Sequence, residues 1–255
     1  MELTDHQLER YARHVILDEV GEEGQEKLLA AKVLIIGAGG LGSPLALYLA
    51  AAGIGTLGIM DDDDLDLSNL QRQIAHDTAF IGKAKTASIT RAIERINPDI
   101  KIVKYQERLT EANASALLSR YDIVADGSDN FPTRYLLNDH CFHLKKTWVS
   151  AALLRFEGQL STFKPYAGAH DPCYRCLYPE MPPADLIPRC DQAGILGSVA
   201  GVMGTLQTTE ILKEILNIGD SLSGRLILYD ALIPRFTTVT VKKNPSCILC
   251  AAQET

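Results

Sequence analysis

Nowhere in these 255 residues does an uninterrupted apolar run approach the roughly 18 residues that a membrane span requires. Gly53 and Asp61 punctuate the most apolar stretch. An excess of positive charge is also missing: 25 Lys and Arg stand against 32 Asp and Glu, for a net charge of -7 and a pI near 5.4. Phosphate backbones are bound by clustered Lys and Arg, so nucleic acid is not expected as the main ligand. The opening "MELTDHQLER" lacks the basic end and apolar stretch of a secretory leader. No repeat, low-complexity segment or GxxxxGK[ST] phosphate loop occurs. These absences point to a cytoplasmic protein with no membrane and no nucleic-acid partner.

What is present suits a large buried core, since 46% of the residues are apolar. We read one domain over 1–255, with N-terminal helices at 3–30, a nucleotide-binding core at 31–164, an irregular loop at 165–198, and a closing helix and strands at 199–255. Leu8, Tyr11, Val15 and Ile16 have helical spacing, and Thr4 with Gln7 forms a capping box. The apolar run "KVLIIG" reads as a buried parallel strand. Strand and helix then alternate up to "DIVADG", which predicts a doubly wound, Rossmann-like, mainly parallel sheet with helices on both faces. "TWVSAALLRFEGQLSTFKP" predicts two strands bending at Gly158, and "GRLILYD" and "RFTTVTVKK" predict antiparallel strands at the far edge. Prolines 165, 172, 179, 182, 183 and 188 make the segment between them irregular.

Gly37, Gly39 and Gly42 satisfy GxGxxG between a strand and a helix, and Asp61 ends the next strand. Glycines let a backbone approach phosphates, and the helix N-terminus favours their charge. Alone, this pattern points to a nicotinamide or flavin oxidoreductase. Cys173 and Cys176, with Cys247 and Cys250, form two CxxC pairs separated by 70 residues. Four thiolates suit a closed, structural zinc site that anchors the irregular loop to the C-terminal end. Two unrelated redox pairs or an iron–sulfur cluster are the alternatives.

The residues after Asp61 shift the balance. Asn69, Arg72 and Lys85 follow closely, and "DGSDN" brings Asp129 to the end of another strand. An acidic ribose partner, an amide, two cations and a carboxylate at strand ends suit ATP and magnesium better than a nicotinamide.

"RYARHVIL", "GAGGLGSP", "DDDDLDLSNLQRQ", "GKAK", "DGSDN", "CYRC", "RCDQAGILG", "GTLQ" and "CILC" resemble, in order, the HesA/MoeB/ThiF family of ATP-dependent activating enzymes, relatives of ubiquitin-activating enzymes. The similarity runs from about Leu8 to Cys250. It implies adenylation of the C-terminal glycine of a small ubiquitin-like sulfur carrier ending in Gly-Gly, ahead of thiocarboxylate formation. It further implies that Gly37, Gly39, Gly40 and Gly42 approach the nucleotide, that Asp61 holds the ribose, and that Ser68, Asn69, Leu70, Gln71 and Arg72 line the site. Asn69, Arg72 and Lys85 would meet the phosphates, and Asp129, with Asn130 beside it, would hold magnesium. Arg13 would reach the phosphates of a partner subunit, which implies a homodimer. Cys190 matches a cysteine that some relatives link covalently to the carrier, and Cys141 reads as buried packing.

His14 stands where relatives often carry glutamine, and Gly127 and Ser128 where many carry cysteine and threonine. The sequence stops shortly after the last CxxC with no rhodanese-like extension, so a separate sulfur donor is expected. "DDDD" resembles the thiamine branch, while "LYDALIPRF" and "KKNPSC" resemble the molybdopterin branch, to which the pattern tilts. A nicotinamide oxidoreductase and a non-catalytic carrier-binding scaffold are the rival readings.

Overall fold

The computed structural model describes residues 2–183 and 193–251. Eight strands form one sheet in the order β3-β2-β1-β4-β5-β6-β7-β8. These are β1 (Lys32–Ile36), β2 (Thr56–Met60), β3 (Lys101–Tyr105), β4 (Ile123–Asp126), β5 (Thr147–Leu154), β6 (Glu157–Phe163), β7 (Arg225–Asp230) and β8 (Arg235–Thr240). Neighbours from β3 through β5 pair in parallel, and those from β5 to β8 pair antiparallel. Thus the doubly wound reading and the antiparallel far edge both hold.

The helices are α1 (Asp5–Arg10), α2 (Ala12–Val15), α3 (Gly21–Ala30), α4 (Gly42–Ala52), α5 (Lys85–Ile96), α6 (Glu111–Leu118), α7 (Phe131–His143), α8 (Tyr174–Leu177) and α9 (Gly197–Leu216). Alternate side chains of β1 feed two cores, as the period of a strand buried on both faces requires. Val33 and Ile35 pack with Leu45 and Leu49 of α4, Ile89 and Ile93 of α5, and Met203 of α9. Leu34 and Ile36 pack with Leu117 and Leu118 of α6, Leu137 of α7 and Trp148 of β5. Each such fully buried aliphatic side chain contributes about 1.5–3 kcal/mol. Among the described residues no helix is long and apolar enough to cross a membrane.

Three local expectations need correction. The N-terminal helix is broken at Tyr11, although Thr4 and Gln7 do form the capping box. Tyr11 is drawn into the core, where its hydroxyl accepts a bond from Asn97 Nδ2 at 2.8 Å, while Ile16 stays 68% exposed. Gly158 lies within β6, opposite Leu153, and the bend falls at Arg155 and Phe156. Arg155 takes the positive φ of 56° there, while a side chain at Gly158 would run into Met203. The irregular loop also ends earlier than residue 198, because α9 begins at Gly197.

The chain winds outward from β1 to β3, then returns to place β4 on the other side of β1. The crevice at such a switch point, beyond the carboxyl ends of the strands, is where open α/β sheets bind ligands. The glycine loop leaves β1 there, and the "DGSDN" loop leaves β4 there.

Candidate active site

Two glycines shape the loop after β1. Gly37 has φ of 92°, and a Cβ on it would meet Gly127 O at 2.8 Å, so the loops leaving β1 and β4 touch. A Cβ on Gly42 would collide with Gly37 O, which closes the loop tightly into the first turn of α4. The positive end of α4 faces the crevice, although Ser43 N already donates to Gly39 O at 2.9 Å and Pro44 carries no N–H.

Asp61 sits just past β2, with Oδ2 accepting from Ala38 N at 2.7 Å and Oδ1 from Asp63 N at 2.9 Å. Burial pushes its carboxyl above the usual range, against the opposing pull of Lys85. Each oxygen keeps a further lone pair. Lys85 is only 6% exposed, and its Nζ lies 2.7 Å from Asp63 Oδ2. It is therefore no solvated helix residue. Asp62 likewise pairs with Arg108 Nε at 2.6 Å, so two of the aspartates after Asp61 hold cations in place.

A 3-10 turn at Leu67–Asn69 holds the "SNLQRQ" run. Ser68 N donates to Asp66 Oδ1 at 2.7 Å, and Asn69 Oδ1 accepts from Asp66 N at 3.2 Å. Arg72 Nη1 donates to Ser68 O at 3.1 Å, and its stem lies 3.5 Å from where a Cβ on Gly40 would stand. Leu70 is half-buried and Gln71 exposed, and the Gln71 carbonyl abuts Gly197 at the start of α9.

Asp129 is exposed, and among the described residues its side chain accepts from Asn130 Nδ2 at 3.4 Å. Asn130, not Asp129, caps α7, by accepting from Thr133 N at 2.9 Å. Arg108 feels Asp62, Asp63 and Asp129 together, so these carboxylates share one rim. Below them Asp126 is fully buried, accepting from Ser128 N at 2.8 Å and Ser150 Oγ at 2.9 Å beside Arg134 Nε at 3.5 Å. Arg134 Nη2 donates to Ser128 O at 2.8 Å, which fixes the loop carrying Asp129. Ser43 Oγ and Gln73 Oε1, close around the glycine loop, are buried without a hydrogen-bond partner among the described residues. A polar ligand suits such a lining.

Sequence reasoning missed Asp63, His76, Asp126 and Arg134. The signals were weak but physical: Asp126 ends a strand whose every residue is buried, and a carboxylate there demands a cation. Arg13 is exposed on α2, whose neighbour Tyr11 packs against Gly53 at the far end of α4 from the glycine loop, so it does not join this crevice within one chain. Cys190 lies outside the described residues. Cys141 is 2% exposed, and burial raises its thiol well above the ordinary range.

The two CxxC pairs do come together. Cys173 Sγ lies 3.9 Å from Cys176 Sγ and 3.5 Å from Cys247 Sγ, and Cys176 Sγ lies 3.4 Å from Cys250 Sγ. All four are free thiols with sulfurs within 4.8 Å of one another. A tetrahedron built on metal–sulfur bonds of about 2.3 Å has edges of about 3.8 Å, so the sulfurs fit a zinc ion. The sulfur contact with Cys176 and burial both raise the Cys173 thiol, an unfavourable crowding that a cation relieves.

The ThiF family model matches residues 11–249. Adenylyltransferase and sulfurtransferase MOCS3 of Bos taurus is 47% identical over 99% of this chain and 55% of its own length. The sulfur carrier protein adenylyltransferase of Thermus thermophilus is 44% identical over 100% of this chain and 95% of its own. The SAMP-activating enzyme E1 of Haloferax volcanii is 44% identical over 98% and 91%. The chain spans about half the length of the MOCS3 relatives it matches. Among solved structures, E. coli MccB with MccA-N7isoASN superposes with a TM-score of 0.83 at 22% identity, covering 96% of this chain and 74% of that one. PaaA gives 0.79 at 22%, covering 95% and 76%. At that identity the likeness is one of fold.

Proposed function

The chain belongs to the ThiF family, and on that premise we propose that it is an ATP- and magnesium-dependent adenylyltransferase acting on a small ubiquitin-like sulfur carrier that ends in Gly-Gly. The observation that carries the reading is the meeting of Gly37–Gly42, Asp61, Arg72, Lys85 and Asp129 around one switch-point crevice. Near-full-length similarity to the Thermus thermophilus sulfur carrier protein adenylyltransferase supports it.

In the proposed reaction the carrier's terminal carboxylate attacks the α-phosphorus of ATP. A carboxylate-oxygen–phosphorus bond forms, the bond to the bridging oxygen breaks, and pyrophosphate departs. Gly37, Gly39, Gly40 and Gly42 seat the nucleotide, and the open lone pairs of Asp61 accept the ribose hydroxyls. Ser68, Asn69, Leu70 and Gln71 wall the site. Arg72 and Lys85 neutralise charge growing at the α-phosphate, a role worth about 10²–10³ in rate. Lys85 Nζ, held by Asp63 at 2.7 Å, keeps two further N–H donors for phosphate. The exposed oxygens of Asp129, a hard donor, suit magnesium, and Asn130 steadies them. Magnesium supplies screening of the departing pyrophosphate.

Zinc held by Cys173, Cys176, Cys247 and Cys250 is structural in this reading, because four thiolates leave no open position. Arg13 serves a second subunit in a homodimer, supported by its exposure and by Ile16 and Tyr48, which are 68% and 57% exposed nearby. In this reading a separate donor protein supplies the sulfur, and the free thiols suit a reducing cytoplasm. Cys190 is the candidate for a covalent link to the carrier, and whether a link forms is read from a Cys190→Ala variant. Carrier-dependent exchange of labelled pyrophosphate into ATP tests the reading. Turnover of NAD or NADP without ATP would instead return the chain to redox chemistry.

A further inference from the structure

Ala38 stands between Gly37 and Gly39, and glycine on both sides leaves its peptide little intrinsic restraint. Its orientation nevertheless decides which backbone groups face a phosphate. Two side chains grip it. Asp61 Oδ2 accepts its N–H at 2.7 Å, and His76 Nε2 lies 2.8 Å from its carbonyl oxygen. A carbonyl only accepts, so Nε2 carries the proton, and the bare Nδ1 accepts from Ser88 Oγ at 2.9 Å. Burial lowers the imidazole's basicity and keeps it neutral, with Lys85, Asp61 and Asp77 as the charged groups around it.

Ser88 lies one turn along α5 from Lys85. The bonds therefore close a circuit: Ala38 to Asp61, Asp61 to Asp63, Asp63 to Lys85, along α5 to Ser88, then through His76 back to Ala38. We propose that His76 is a positioning residue that locks the glycine loop to the helix bearing Lys85, so that backbone cradle and phosphate-binding lysine form one preorganised ATP seat. The proposal deepens the adenylyltransferase reading and rests on ATP being the ligand of this crevice.

A histidine that only filled space would affect stability and every kinetic constant together. Positioning gives a selective signature. The amide of His76→Gln falls near the Nε2 position and keeps the donor to Ala38, whereas His76→Asn places its amide near Nδ1 and loses that bond. Direct binding of MgATP, measured by equilibrium dialysis without carrier, should weaken about tenfold in His76→Asn and stay within about threefold of wild type in His76→Gln. Ser88→Ala should weaken binding less, and its combination with His76→Asn should be less than additive. Amide hydrogen exchange over residues 37–43 should rise in His76→Asn and not in His76→Gln. Equal MgATP affinity in both His76 variants and wild type would overturn the proposal, as would equal losses in both accompanied by equal drops in melting temperature. Wild-type protein that binds MgATP yet shows no carrier-dependent exchange would overturn the functional reading alone and leave this binding comparison decisive.

Discussion

Replacing Cys176 with serine should cut the tether that joins the two ends of the last third of the chain. The four thiolates act as a cross-link between positions 74 residues apart. Closing a loop of that length removes entropy from the unfolded chain worth about 4–5 kcal/mol at 25 °C. In a chain of this size each kcal/mol moves the melting temperature by about 2–4 °C, so the variant should melt roughly 10–15 °C lower. Elemental analysis should find one zinc per wild-type chain and close to none in Cys176→Ser. Prolonged chelation should reproduce the thermal shift and open cleavage by protease between Lys164 and Val199. Wild-type protein free of zinc, or a chelated protein that melts within about 2 °C of the untreated one, would refute the cross-link.

Arg72→Ala and Lys85→Met should each lower pyrophosphate exchange by about 10²-fold or more; loss within a few-fold would remove the phosphate role. Arg134→Met strands the buried Asp126 carboxylate and should cost about 3–5 kcal/mol in urea unfolding, with Asp126→Asn added on top restoring much of it; no recovery would deny that the pair matters as a pair. Asp61 keeps its proton to higher pH in the folded chain than in the unfolded one, because burial raises its carboxyl. Its contribution to stability should therefore fall as pH rises from about 3.9, the unfolded value, to the folded value, and Asp61→Asn should flatten that slope; a contribution that grows over the same window would reverse the sign.

The parts of this protein written in local chemistry were legible from sequence. An apolar run followed by Gly37, Gly39 and Gly42 dictates a strand, a tight turn and a helix, and the two CxxC pairs announce a metal cluster whatever lies between them. Thr4 and Gln7 cap their helix using only each other. Legibility failed where the partner comes from elsewhere in the chain. Tyr11 fits a helical pattern, yet Asn97 and the core claim its side chain and break the helix. Gly158 resembles a bend residue, but it is small because Met203 of α9 packs over it. His76 and Arg134 carry no motif of their own, and nothing in the "DDDD" run singles out Asp63. Their roles arise only when the winding of the sheet brings α5, α7 and the glycine loop to one crevice. Asn130 caps α7, which leaves the Asp129 carboxylate open toward the rim.

The most direct test of the account is intact-protein mass spectrometry of a Gly-Gly-terminated sulfur carrier after incubation with this protein, ATP and magnesium, with no sulfur donor present. Adenylation makes the carrier heavier by one adenylyl group and releases one pyrophosphate per adenylate formed, both lost when the terminal glycine is removed. A carrier of unchanged mass, with ATP intact or split to ADP and phosphate, would contradict it.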